Sequence, residues 1–356
     1  MPEPAYDALI PYGWDERVAA LVGSAARDDT VAGRVVRVER APKEQGFIAS
    51  AIVRLPDGDV LATSADDFPA VGDWVLVRVV DDDTKLLEVV LDRWSALTRQ
   101  DPGDEHSLQV LAANIDVVLI VAPLDRLRIA RVERELLVAW ESGARPVVVL
   151  SKADVADDLD RTLDEVQSRL AGADVVVTSA RSGAGLDEIA AVLHPNRTAV
   201  LFGPSGAGKS SLANALLGDD VLATGDVREG DHRGRHTTTS RQLVPLPRGG
   251  VLIDTPGIRS ISVWRGEEGL SAAFADVEEV ATACRFRDCR HQSEPGCAVH
   301  AAVADGSLDA QRVASYLKLL REVEYAEHAH ELQYQQERKR KWKAIHKASR
   351  DHPKKR

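Results

Sequence analysis

The chain has 356 residues, of which 44% are apolar and 28% charged, with a formal net charge of −11. That length and balance predict two or three domains with real cores and exclude wholesale disorder. Three cysteines are too few for a disulfide framework and point to a reducing, cytoplasmic setting.

Residues 1–7 carry no basic stretch followed by an apolar one, so no secretory signal is expected. Residues 1–30 read as an N-terminal arm. Residues 31–98 read as β: VAGRVVRVE, GFIASAIVRL, DVLATS, DWVLVRVV and KLLEVVL are short runs rich in Val and Ile, separated by turn residues such as Pro56-Asp57-Gly58. Five short strands in this space predict a small barrel of the OB type. Its aromatics are Phe47, Phe68, Trp74 and Trp94, and Trp74 reads as core. Single-strand binding by such barrels relies on base stacking, so this poverty of aromatics predicts backbone and shape contacts to folded RNA instead.

Residues 99–107, RQDPGDEHS, read as a linker. Over 105–262, apolar strands alternate with amphipathic helices, which predicts a parallel sheet covered by helices on both faces. The longest apolar run, Val117 to Leu124, is far short of the roughly 20 residues of a membrane span, so no membrane partner is expected. Residues 263–337 read as helical, with an interruption at 284–297 that holds every cysteine. Residues 338–356 form a tail with ten Lys or Arg and one acid, so the remaining body carries −20. Such a division points to an anionic partner for the tail. The body uses Lys sparingly, and two of its five lysines, Lys152 and Lys209, fall inside the motifs described next.

Gly203-Pro204-Ser205-Gly206-Ala207-Gly208-Lys209-Ser210 fits G-x-x-x-x-G-K-[ST] in full and lies between a predicted strand and a predicted helix. Glycines there let backbone N–H groups wrap phosphates at a helix N-terminus. Lys209 then reaches the β- and γ-phosphates, Ser210 ligates magnesium, and Ser211 lies next along the helix. Asp254-Thr255-Pro256-Gly257 follows an apolar strand. Asp254 suits a water-mediated magnesium contact and the Gly257 N–H suits the γ-phosphate. Ser151-Lys152-Ala153-Asp154 ends another strand and resembles a guanine-recognition motif, in which a carboxylate at Asp154 accepts from guanine N1–H and the 2-amino group together. Thr178-Ser179-Ala180 ends the next strand, where the backbone of such a loop meets guanine O6. The guanine motifs precede the P-loop, so the domain reads as a circularly permuted GTPase. Permutation is tolerable where the original termini lie close together.

The last constellation is Cys284-x4-Cys289-x-His291-x5-Cys297, three thiolates and an imidazole within 14 residues, a set suited to one tetrahedral structural zinc. His300 is an alternative fourth ligand.

Taken together, VGDWV (71–75), SKAD, TSARSGAGL (178–186), GPSGAGKSSL (203–212), GRHTTT (234–239), DTPGIR (254–259) and the Cys/His cluster resemble the circularly permuted ribosome-small-subunit-dependent GTPases, the RsgA family, over residues 31–330. The resemblance implies three parts: an N-terminal OB-type β-barrel, a central circularly permuted α/β P-loop GTPase domain and a C-terminal helical zinc-binding domain. It implies GTP hydrolysis stimulated by the 30S subunit, late maturation of that subunit, contact with its 16S rRNA, and a monomeric protein. Ser151 departs from the family, which has Asn there. Ile258 follows the DTPG glycine, where many GTPases place a water-orienting Gln. His236, beside the switch threonines Thr238 and Thr239, is therefore the candidate catalytic residue. Two other functions stay open on the sequence: a GTP-dependent factor for another RNA or protein complex, and an RNA-binding scaffold whose nucleotide is only structural.

Overall fold

The computed structural model describes residues 6–25, 27, 29–39, 49–64, 68–81, 84–101, 104–170, 172–218, 241–254, 267–326 and 328. The chain divides into two compact units, one of residues 1–99 with 108–261 and one of residues 100–107 with 262–356.

The first unit begins with a 3-10 turn at Tyr6–Tyr12 and helix α1 (Glu16–Ala25). Strands β1 (Thr30–Glu39), β2 (Ala49–Leu55), β3 (Gly58–Ser64), β4 (Trp74–Val79) and β5 (Lys85–Val90) follow. They run β1-β2-β3-β5-β4, and β4 pairs back onto β1, so the sheet closes into a five-stranded barrel. Pairing is antiparallel except for β3 with β5, which is parallel. Closure removes the exposed edges that would otherwise template aggregation. Alternation fills the interior with Val35, Val53, Ala62, Val75, Val77 and Leu87. The N-terminal segment is part of this packing: Leu9, Val18 and Val22 share a second core with Ala32, Trp74, Leu76 and Leu91. Trp74 is fully buried and so is core, with Trp14 edge-on to it at 5.5 Å.

Strands β6 (Ala96–Asp101) and β7 (Asp104–Ala113) form a separate two-stranded ribbon. This replaces the linker expected at 99–107. The segment is polar, and polarity suggests a loop; yet strand pairing needs only backbone groups, and polar side chains can face solvent or pair across strands, as Arg99 does with Gln109 (2.8 Å).

The α/β layer is built from β8 (Val117–Pro123), α2 (Ile129–Glu141), β9 (Arg145–Ser151), α3 (Leu159–Arg169), β10 (Asp174–Val177), α4 (Leu186–Leu193), β11 (Thr198–Phe202), α5 (Lys209–Leu217), β12 (Gln242–Pro245) and β13 (Val251–Asp254). Its order is β10-β9-β8-β11-β13-β12. The first five are parallel, while β12 is antiparallel to β13. Parallel strands covered on both faces read as unbroken apolar runs, and all seven residues of β8 are buried. Strand β12 also pairs with β1 at Gln242 and Arg37, so barrel and layer share one eleven-stranded sheet. Arg34 is fully buried at this junction. Its guanidinium donates to the carbonyl oxygens of Tyr12, Gly72 (3.3 Å) and Asn114 (3.2 Å) and to Thr198 Oγ1 (2.8 Å). Burial lowers its pKa to about 10, with Asp116 and Asp73 opposing the shift.

The second unit holds α6 (Glu267–Ala273), α7 (Ala275–Ala281), α8 (Ala298–Asp305) and a helix α9 over 310–326. Phe274, Val277, Val299, Val313, Tyr316, Leu319 and Val323 are buried in it. Arg312, 2% exposed, forks onto both carboxylate oxygens of Asp276 (2.6 Å each), donates to Ala273 O and lies over the Phe274 ring. A bidentate pair with a carboxylate is the form in which a buried guanidinium is tolerated.

Candidate nucleotide site and metal centre

The first site is made where parallel strands end. Strand β11 leads into Gly203 and helix α5 starts at Lys209. Gly203 has φ +141°, and a Cβ there would run into the Val121 carbonyl, so only glycine lets the loop turn against β8. Gly206 and Gly208 also have positive φ, and Ala207 is fully buried under the loop. Lys209 Nζ donates to the carbonyl oxygens of Gly203 (2.8 Å) and Pro204 (2.7 Å), which holds the ammonium against the concave loop. Asp254 ends β13, the neighbour of β11. Partial burial raises its carboxyl above the ordinary value, and the Lys209 ammonium opposes that shift.

The guanine-type motifs lie at the ends of β9 and β10. Lys152 takes a left-handed backbone conformation (φ 63°), so the chain leaves β9 sharply, and Asp154 follows in a short 3-10 turn. Asp154 Oδ1 accepts from Ser179 Oγ at 2.6 Å; this bond pulls the carboxyl below its usual range and keeps it ionised. Ala153 N–H donates to Thr178 O (3.0 Å), fixing the two loops to each other. Ser151 is buried and its hydroxyl donates to Ala207 O at 2.6 Å. One bond thus ties the guanine-type motif to the P-loop across 56 residues of sequence. The hydroxyl, although shorter than an amide, reaches the loop.

Ser151 and Asp254 end β9 and β13, while Lys152, Asp154, Ser179, Ala180, residues 203–208, Lys209, Ser210 and Ser211 are on the loops that follow β9, β10 and β11 or on the first turn of α5. His236, Thr238, Thr239 and Gly257 lie outside the described residues. Two participants had no motif to announce them. Asp125 accepts from Lys152 Nζ (2.9 Å), and Arg126 Nη2 donates to Ser205 O (3.0 Å). Both sit in the short 3-10 turn Leu124–Arg126 that follows β8, and their position at the end of a parallel strand was the available signal.

The second site is in the second unit. Single ligand atoms of Cys284, Cys289, His291 and Cys297 all lie within 4.8 Å of one another. His291 Nδ1 is 3.6 Å from Cys284 Sγ and 3.4 Å from Cys297 Sγ, and those two sulfurs are 4.0 Å apart. Zinc bonds of about 2.3 Å to sulfur and 2.0–2.1 Å to nitrogen in a tetrahedron require edges of roughly 3.5–3.8 Å. Cys284, His291 and Cys297 sit near those edges, and with Cys289 they form a group of four ligand atoms that could hold one metal ion. His291 is buried with φ 55°, and its ring nitrogen faces the sulfurs of Cys284 and Cys297. The Ala298 N–H donates to Cys284 Sγ (3.3 Å), which favours the thiolate. His300 Nε2 is instead 2.9 Å from Gln292 O, outside the ligand set.

A family model described as RsgA GTPase matches residues 90–264. The chain is 44% identical over 325 residues to the small ribosomal subunit biogenesis GTPase RsgA of Streptomyces avermitilis, covering 88% of this chain and 85% of that protein. Among solved structures, YjeQ from Thermotoga maritima is 26% identical with a TM-score of 0.61, covering 83% of this chain and 98% of that one. YloQ, described as a circularly permuted GTPase, is 23% identical with a TM-score of 0.58, covering 84% and 98%. This last likeness concerns the fold alone.

Proposed function

Because the chain belongs to the RsgA GTPase family, we propose that it hydrolyses GTP to GDP and phosphate in the late maturation of the small ribosomal subunit, stimulated by that subunit. The observation that carries this reading is the convergence of a P-loop, an ionised Asp154 and the Ser151 brace at the ends of adjacent parallel strands.

In this reading residues 203–208 wrap the phosphates with backbone N–H groups, Lys209 offers its ammonium to the β- and γ-phosphates, and Ser211 adds a contact beyond them. Asp154 accepts both guanine donors while the Ala180 backbone meets O6. Ser210 and Asp254 would hold magnesium, which would supply positive charge against the charge developing on the phosphates. His236 orients the attacking water beside the switch threonines Thr238 and Thr239, and the Gly257 N–H meets the γ-phosphate. Cys284, Cys289, His291 and Cys297 hold one structural zinc.

The same reading divides the chain into the arm (1–30), barrel (31–98), permuted GTPase domain (105–262), zinc-binding helical domain (263–337) and basic tail (338–356). It makes the protein a cytoplasmic monomer that meets 16S rRNA. Among the described residues no helix is long and apolar enough to cross a membrane. The tail supplies the cations that phosphates neutralise, so deleting 338–356 should flatten the salt dependence of subunit binding and leave GDP affinity unchanged.

The test is GTP turnover by the full chain with and without purified small ribosomal subunits. Strong stimulation by small subunits is expected. Stimulation only by another RNA or complex would support the broader GTP-dependent factor, and no hydrolysis under any condition would support the scaffold.

A further inference from the structure

Three positive side chains line a cavity of about 200 Å³ on the flank of the P-loop: Arg126, Arg128 and Arg131, facing Pro204 and Ser205. Arg131 is committed to the buried Glu135, whose Oε1 accepts from it at 2.9 Å. Arg126 is placed differently. Its Nη2 donates to the Ser205 carbonyl at 3.0 Å, and the guanidinium lies so close to Gly206 that a Cβ on that residue would collide with it.

The turn that carries Arg126 is stapled from two sides. Asp125, its neighbour, gives Oδ2 to Lys152 Nζ at 2.9 Å, and so is anchored to the guanine-type motif. Asp125 Oδ1 stands 3.9 Å from Arg126 Nε. One carboxylate thus serves two cations, and the pair Lys152 and Arg126 keeps a surplus positive charge beside the loop. Arg126 is 53% exposed in its side chain, so rotation about its own bonds can carry the guanidinium from the loop's outer wall to its mouth.

We propose that Arg126 is a catalytic residue, a guanidinium supplied by this chain itself to the phosphates of bound GTP. The proposal rests on the GTPase reading above. Hydrolysis breaks the bond from the γ-phosphorus to the β–γ bridging oxygen, forms a bond from that phosphorus to water oxygen, and leaves the electron pair on the GDP β-phosphate, with the water proton passing to phosphate or solvent. Charge therefore grows on the bridging oxygen and the equatorial γ-oxygens, beside the Ser205–Gly206 backbone that Arg126 touches. A guanidinium fork brought to that mouth stabilises that growth better than it binds the ground state. An arginine acting in this way is worth roughly 10³–10⁵ in turnover.

The test uses the full chain and its Arg126→Ala and Arg126→Lys variants, with three readouts: GDP affinity, binding of GDP with aluminium fluoride as a mimic of the transferring phosphoryl group, and single-turnover GTP hydrolysis. The expected result is GDP affinity within about twofold for both variants, with aluminium fluoride capture and hydrolysis reduced about 10³-fold in the alanine variant and little restored by lysine. Wild-type hydrolysis and capture by Arg126→Ala would overturn the proposal. So would a loss of GDP affinity as large as the loss of turnover, because Arg126 would then be a brace of the loop. Failure of the underlying GTPase reading is distinct: the unaltered chain would then hydrolyse no GTP, with or without small ribosomal subunits.

Discussion

The two candidate sites are assembled in opposite ways. The nucleotide site joins groups far apart in sequence, such as Ser151 with Ala207 and Arg126 with Ser205, at 56 and 79 residues' separation. Such contacts exist only after β8, β9, β10 and β11 have paired over a core of Val117, Leu119, Val147, Val149, Ile189 and Leu212. There the fold makes the site. The metal centre draws its ligand atoms from residues 284–297, a segment with no regular element between α7 and α8, and most of 285–290 is exposed. Three cysteines and a histidine brought this close gain little from one another. On the zinc reading proposed above, the ligand makes the fold in that region.

Breaking the metal centre should have the largest effect. Cys297→Ser removes one of four ligands from a site whose metal binding contributes about 10–16 kcal/mol of apparent folding free energy. The second unit should lose its helical signal and become protease-sensitive, while GDP affinity changes less than about twofold. Metal analysis of the unaltered chain should give one zinc ion per molecule.

Asp154→Asn sharpens the comparison from the other side. It leaves the fold in place and removes a charged acceptor; hydrogen bonds to charged groups are worth about 1.5–3 kcal/mol, so GTP affinity should fall roughly 10–100-fold. Xanthosine triphosphate should gain, because its donor and acceptor are exchanged relative to guanine. An unchanged GTP affinity in a titration of both nucleotides would remove Asp154 from the site.

Ser151→Ala tests whether the brace to the P-loop matters. The buried Ala207 carbonyl would lose its partner at a cost of about 1–3 kcal/mol. Denaturant unfolding should register that loss, with a fall in nucleotide affinity of only a fewfold. The smallest effect belongs to Ser179→Ala. The Ser179 hydroxyl holds the Asp154 carboxyl low, so the acceptor form persists as pH falls and is lost only when the depressed pKa is crossed. Without that bond protonation begins at higher pH, and the acid limb of GDP binding should move upward.

The same contrast explains how much could be read before the structure. The P-loop, the SKAD and TSA motifs and the cysteine cluster were legible because each is a short run of residues with fixed chemistry. The barrel strands were legible from alternating Val and Ile. Strand β12 was not: four residues bounded by a proline and followed by Arg248-Gly249-Gly250 carry too little pattern, and its pairing with β1 and β13 is long-range. The ribbon β6–β7 was hidden by its polarity. Arg34 was hidden for the opposite reason, since an arginine in a strand suggests a surface position whereas four acceptors from distant segments bury it. The Ser151 bond and the place of Arg126 depend on which strands become neighbours, which local sequence does not state.

Amide hydrogen exchange on the full chain, with its metal stripped by a chelator, tests the central claim most directly by reading both regions in one sample. The account predicts that residues 284–305 lose protection while strand β11 and helix α5, residues 198–217, keep it and still gain further protection on adding GDP. Loss of protection in both regions together, or in neither, would contradict it.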